Sequence, residues 1–356
     1  MNKQSKIVVG ISIGDLNGIG SEVVLKTFQD TRMLDFCTPV IFASSKAMSL
    51  SKKACNIEMN LNGIDSIAGI VHKKVNVLNV WKEAVEINFG EENERIGEYA
   101  IKSLKAAVVA LKKGDIDVLV TAPINKSNVQ SEAFNFPGHT DYLAQELEGD
   151  SLMLMISNNL RVGLLTDHVA VKDVSATITS ELIEKKINTI HRTLIQDFGL
   201  IKPRIAVLGI NPHNGDKGVI GTEDDTVLRP TLDNLRENGK LIYGPYAADS
   251  FFGSRSFEQF DAVIASYHDQ GLIPFKTLSF GNGVNFTAGL NKIRTSPDHG
   301  TAYDLAGKNE ANHESFREAV YNAIAIFKKR REYKEMSKNP LTSSSKTKVS
   351  KKNWQN

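Results

Sequence analysis

Cysteine is nearly absent from this 356-residue chain, which holds only Cys37 and Cys55, in no repeated spacing. That excludes a disulfide scaffold and points to a reducing compartment, the cytoplasm. No apolar stretch approaches the roughly 18 residues of a membrane span, so no membrane partner is expected. The opening MNKQSKIVVGISIG sets lysines before an apolar run. That run meets Asp15 without a small-residue cleavage site and reads as a first β-strand rather than a signal peptide. The body of the chain also lacks a basic stripe, which argues against nucleic acid as a partner. Five lysines and no acid fall in the last 20 residues, and without them the net charge of +2 becomes about −3. Residues 335–356 read as a disordered, Lys/Ser-rich tail.

What the chain does hold is material for a sizeable core, with 41% of its residues hydrophobic and 7% aromatic. Its length exceeds the roughly 250–300 residues at which one core stops growing, so two domains or one large unit with an excursion are expected. Short runs rich in Val, Ile and Leu recur at 7–13, 40–43, 117–120, 205–209 and 261–267. Near-continuous apolar runs of that length fit strands of a sheet covered on both faces. Between two of them, Ile183, Ile187, Ile190 and Leu194 mark one face of an amphipathic helix over 178–198. Within 151–168, two apolar runs flank Ser157-Asn158-Asn159, which predicts a hairpin. The fold class is therefore α/β, with a largely parallel, partly mixed sheet.

In such a sheet, ligands gather where the strands end. Four polar clusters follow strand-like runs, at 121–126, 166–168, 209–215 and 267–271. His168, His213 and His268 come from three of them. Three imidazoles with an open position suit a catalytic zinc or a similar divalent metal, although each alone reads equally as a hydrogen-bonded strand-end residue. His139 and Thr140 after Gly138, together with Lys276, Asn285 and Arg294, offer the charge-assisted donors a phosphate monoester accepts. For Lys276 and Arg294 the alternative is an ordinary surface cation. The spacing of His268 and Lys276 places them on one turn, separated by Gly271 and Pro274. The stretch Gly14–Val24 lacks the GxGxxG fingerprint, so no Rossmann site is supported. Ser296–Lys308 carries His299 and Asp304, and Asp304 suits ribose hydroxyls, although turn chemistry explains the composition equally well.

Taken jointly, GDLNGIGSE, TAPINK, FPGHTDYLA, GINPHNGDKG, GPYAADS, YHDQGLIPFK and GVNFTAGLNKIRTSPDHGTAYDLAGK resemble the 4-hydroxythreonine-4-phosphate dehydrogenase family of pyridoxal 5′-phosphate biosynthesis. The resemblance runs from about Ile7 to Lys329. Two of the segments also look like the wider isocitrate/isopropylmalate dehydrogenase superfamily. It implies a two-domain fold of that superfamily, with residues 1–135 plus 297–334 in one domain and 136–296 in the other. It implies a homodimer with metal sites at the subunit interface, NAD as cofactor, and one divalent metal per subunit, with zinc favoured over cobalt or magnesium. Metal ligands carry over to His168, His213 and His268, substrate contacts to His139, Thr140, Lys276, Asn285 and Arg294, and NAD contacts to the loop of His299 and Asp304. Asp249 and Asp269 are candidates for proton transfer or for orienting a metal-bound histidine. The implied reaction oxidises the substrate at C3 and then decarboxylates it. A sister enzyme acting on 4-phospho-threonate is the alternative. The chain departs from the family at Leu16 and Ser21, where Pro is frequent, and at Asp167, where Thr is common.

Overall fold

The structure, a computed structural model, describes residues 6–339 apart from 133, 159 and 280. The far end of the basic tail, 340–356, and Asn159 of the hairpin turn lie outside the described residues. Among the described residues, twelve strands join in a single sheet. In chain order they are β1 (Ile7–Ser12), β2 (Cys37–Ala43), β3 (Leu61–Ile64), β4 (Val75–Asn79), β5 (Val118–Thr121) and β6 (Gly149–Ile156). There follow β7 (Arg161–Leu164), β8 (Ile205–Leu208), β9 (Ile242–Tyr246), β10 (Ala262–Ala265), β11 (Val284–Leu290) and β12 (Arg294–Pro297). Helices of eight residues or more are α1 (Gly20–Gln29), α2 (Ser45–Ala54), α3 (Glu94–Lys113), α4 (His139–Glu146), α5 (Ser180–Gln196), α6 (Arg229–Glu237), α7 (His268–Leu278) and α8 (Glu314–Met336).

The spatial order is β3-β4-β2-β1-β5-β12-β11-β6-β7-β10-β8-β9. From β3 to β12 every pairing is parallel, and so is every pairing from β7 to β9. Antiparallel pairs β12–β11, β11–β6 and β6–β7 form the joint between these two blocks. The expected α/β class with a largely parallel, partly mixed sheet is what the chain adopts. The hairpin expected around Ser157 is the β6–β7 pair.

The apolar periodicity places the layers. Ile183, Ile187, Ile190 and Leu194 of α5 are fully buried against one face of the joint, with Leu152, Leu154 and Phe286. On the opposite face, Leu272 and Phe275 of α7 pack on Met153, Met155, Val162, Leu164 and Ala265. Gly271 permits that approach, because a Cβ there would sit 2.9 Å from Val162 Cγ1 and from Ala265 Cβ. Burial of this kind stabilises by roughly 25 cal/mol per Å² of apolar surface, so both faces of the joint are rigidly backed.

Candidate active site

The α7 face of the joint carries polar side chains, and strand register explains why they converge. Asn285 pairs with Ser296 on β12 and with Met155 on β6, so these three share one face with Thr287, Arg294 and Met153. A cleft of ≈ 310 Å³ opens there. Thr121, Asn285, Arg294 and Ser296 line it from the sheet, His139, Thr140 and Asp141 from α4, and His268 and Lys276 from α7. Lys126, His168, Asp298 and His299 complete the polar wall.

Arg294 is 2% exposed, and among the described residues its side chain bonds only to hydroxyls. Nε and Nη2 donate to Thr121 Oγ1 at 3.0 and 2.6 Å, and Nη1 donates to Thr287 Oγ1 at 3.1 Å. No carboxylate pairs with it among the described residues. Burial pushes its pKa down to about 9, which still leaves it charged at neutral pH. Burial, and then the charges of Arg294 and Lys126, hold His139 well below the ordinary imidazole range, so that ring is neutral. His139 Nε2, Asn285 Oδ1, Asp141 Oδ2 and His299 Nε2 are all buried without a hydrogen-bond partner. A buried cation beside orphaned polar atoms is costly unless a ligand supplies the missing partners. The Arg294 guanidinium fits an anionic group of a ligand, while Asn285 Oδ1 and Asp141 Oδ2, as acceptors, call for donors on the same ligand.

The residues anticipated from sequence fall into two groups. His139, Thr140, His168, His268, Lys276, Asn285, Arg294 and His299 line the cleft, whereas His213, Asp249, Asp269 and Asp304 do not. His168 and His268 approach to 6.0 Å between ring centroids. His268 Nδ1 lies 2.7 Å from Asp269 Oδ1, the arrangement that leaves Nε2 of a neutral ring free as an acceptor. His213 is exposed and stands at φ 51° in a left-handed run through Lys217. Among the described residues, no group of three His, Cys, Asp or Glu is arranged to hold a metal ion. The donor chemistry of His168 and His268 fits a divalent cation, and His213 is not among the residues that line the cleft with them. Asp249 is exposed and accepts a long 3.4 Å bond from the Ser250 hydroxyl.

His268 and Lys276 do not share a turn: both lie on α7, at its first residue and near its end. Gly271 and Pro274 sit inside the helix rather than ending it. Gln270 anchors α7, accepting from Ser266 N at 2.7 Å and donating to Gly209 O at 2.7 Å. Asp167, the departure beside His168, accepts from the His168 amide at 3.1 Å.

The glycine stretch after β1 and the loop of His299 meet in space. Ile19 N donates to Thr301 O at 2.9 Å, and a Cβ on Gly18 would come within 2.8 Å of that oxygen. Asp15, fully buried, accepts from Tyr303 Oη at 2.8 Å and from Asn128 Nδ2 at 3.3 Å. An orphaned His299 nitrogen and the exposed carboxylate of Asp304 border this junction, which fits the polar edges of a nucleotide. Sequence reasoning missed Thr287 and Asp141 as parts of the site. Pairing of β11 with β12 is what brings Thr287 to Arg294, and no local motif announces that contact.

A polar cleft beside a buried arginine, at the joint of a mostly parallel sheet, marks an α/β protein with a ligand site. The family profile of the pyridoxal phosphate biosynthetic protein PdxA matches residues 35–323, and the chain belongs to that family. A 4-hydroxythreonine-4-phosphate dehydrogenase from Bacteroides thetaiotaomicron is 46% identical over 341 residues, 95% of this chain and 94% of that protein. The crystal structure of a 4-hydroxythreonine-4-phosphate dehydrogenase from Burkholderia phymatum is 33% identical and superposes with a TM-score of 0.74 over 91% of this chain and 99% of that one. The Klebsiella pneumoniae structure of the same name is 31% identical, with a TM-score of 0.78 over 92% and 99%.

Proposed function

We propose that this protein is an NAD-dependent dehydrogenase acting on 4-phosphooxy-L-threonine. It oxidises C3 and releases CO₂ to give 3-amino-2-oxopropyl phosphate, a step of pyridoxal 5′-phosphate synthesis. The observation that carries this reading is Arg294, a buried guanidinium bonded to no carboxylate among the described residues, in a cleft that also presents Lys126 and Lys276. The relative that shares 46% of its residues bears the corresponding name.

Arg294, Lys276, Asn285 and Thr140 grip the phosphate, and neutral His139 adds a hydrogen bond there. Holding that remote group fixes the position of the reacting carbon. His299 and Asp304 would hold NAD⁺, which supplies the hydride acceptor. His168 and His268, joined by His213, would hold a divalent cation, zinc most readily, with cobalt or magnesium as alternatives. When bound, such a cation lowers the pKa of a substrate hydroxyl. Asp269 orients His268, and Asp249 is assigned to proton transfer. We place the protein in the cytoplasm as a homodimer with metal sites at the subunit interface. Its domains are assigned to 1–135 plus 297–334 and to 136–296.

The test is NADH absorbance with 4-phosphooxy-L-threonine and, separately, 4-phospho-threonate, each with added zinc, cobalt or magnesium. Preferential turnover of the amino acid phosphate is expected. Preference for the hydroxy acid would assign the sister activity, and turnover of neither would overturn the reading.

A further inference from the structure

Arg294 has five N–H donors, and the protein engages three of them, all with threonine hydroxyls. Thr121 accepts from both Nε and Nη2, so one hydroxyl braces a whole edge of the guanidinium. Thr287 accepts from the far nitrogen. Thr121 and Thr287 are both fully buried, and each is a strand residue whose backbone is locked in the ladder. The plane of the guanidinium is therefore set by groups that cannot drift. The remaining two N–H groups, one on each Nη, have no acceptor among the described residues.

A carboxylate would brace the same edge more strongly, because bonds between two charged partners are about twice as strong as neutral ones. It would also cancel the charge. Two hydroxyls give orientation without cancellation, and the cleft keeps a full positive charge aimed at its ligand.

We propose that Thr121, assisted by Thr287, is the positioning residue of the anion subsite: it orients Arg294 while leaving the guanidinium charge unspent for a phosphate group. This rests on the phosphate-binding reading of the cleft and goes beyond it by assigning the orienting role to neutral hydroxyls. Thr121 itself touches no reacting atom. Its loss acts on substrate affinity through Arg294, and the chemical step is left with its own groups.

The experiment compares T121S, T121V, T121N and T121D in the full chain. Inorganic phosphate binding is read by calorimetry, KM and kcat for the phosphorylated substrate by NADH absorbance, and folding by circular dichroism and thermal melting. T121V should weaken phosphate binding about tenfold or more, the scale of losing a hydrogen bond to a charged group, and raise KM with kcat within about threefold. T121S should rescue affinity. T121N and T121D have nearly the same shape, so their difference isolates charge, and T121D should bind phosphate at least about tenfold more weakly than T121N.

Wild-type phosphate affinity in folded T121V overturns the positioning role. Equal affinity of T121N and T121D overturns the reserved charge. Should T121V or T121D not fold, T121S against T287V takes over, with T287V expected to weaken phosphate binding and T121S to retain it. Phosphate binding is measured without turnover, so an inactive wild type that binds phosphate overturns the dehydrogenase reading alone.

Discussion

Arg330 and Arg294 are both withdrawn from solvent, and the protein holds them by different chemistry. Arg330, on α8, makes a two-pronged ion pair with Asp197 at the end of α5, Nε to Oδ1 at 2.6 Å and Nη2 to Oδ2 at 2.8 Å. Its third nitrogen caps Leu290 O at 3.0 Å. That arginine ties two helices to the end of β11, and its charge is already paired with a carboxylate. Arg294 sits at the sheet joint with hydroxyls only and keeps its charge. The structural arginine is neutralised by the fold, while the arginine of the cleft waits for a ligand to neutralise it.

The largest effect should come from the paired site. Asp197→Ala leaves Arg330 charged and nearly buried, and breaking such a pair costs about 3–5 kcal/mol. Urea unfolding should report that loss with turnover per folded molecule unchanged. An undiminished unfolding free energy would show that the pair contributes no more than a surface one.

Arg294→Met should behave in the opposite way. Removing an uncompensated buried charge should leave the unfolding free energy unchanged or raise it, since an apolar side chain of similar length avoids the desolvation penalty. Phosphate affinity should fall roughly 100-fold, the scale of losing two or so charge-assisted bonds. A strongly destabilised variant would mean that Arg294 is structural after all.

A smaller effect tests the electrostatics around the second arginine. His139 is held neutral in the folded protein, with its pKa below the ordinary value near 6.5. Its contribution to stability is therefore present above pH 6.5 and is lost as pH falls below it, because the unfolded chain takes up the proton first. Thermal melts between pH 7.5 and 5 should fall less steeply for His139→Asn than for the wild type. Parallel curves would remove His139 as the cause.

The same contrast marks what was legible in the sequence. Arg294, Asn285 and His139 were readable as anion donors because residue chemistry survives without coordinates. The β6–β7 hairpin and the apolar face of α5 were readable because periodicity is local. β11 and β12 went unread as strands: GVNFTAGL alternates buried apolar residues with polar ones that face the cleft, and only register shows that they pair. Gly271 and Pro274, between His268 and Lys276, suggest a turn when the sequence is read alone. In the fold, Gly271 instead lets α7 lie close against β7 and β10. Nothing local to His213 signals the left-handed run in which it stands.

β12 enters the sheet between β5 and β11, although it is the last strand among the described residues. During synthesis the outer edge of β5 therefore has no partner from residue 121 until residue 294 is made. At about 5–20 residues per second that interval lasts roughly 9–35 s, during which an unpaired strand edge is open to any other chain. The same strand delivers Arg294, so the nascent protein gains that side chain and covers the free edge of β5 in one event.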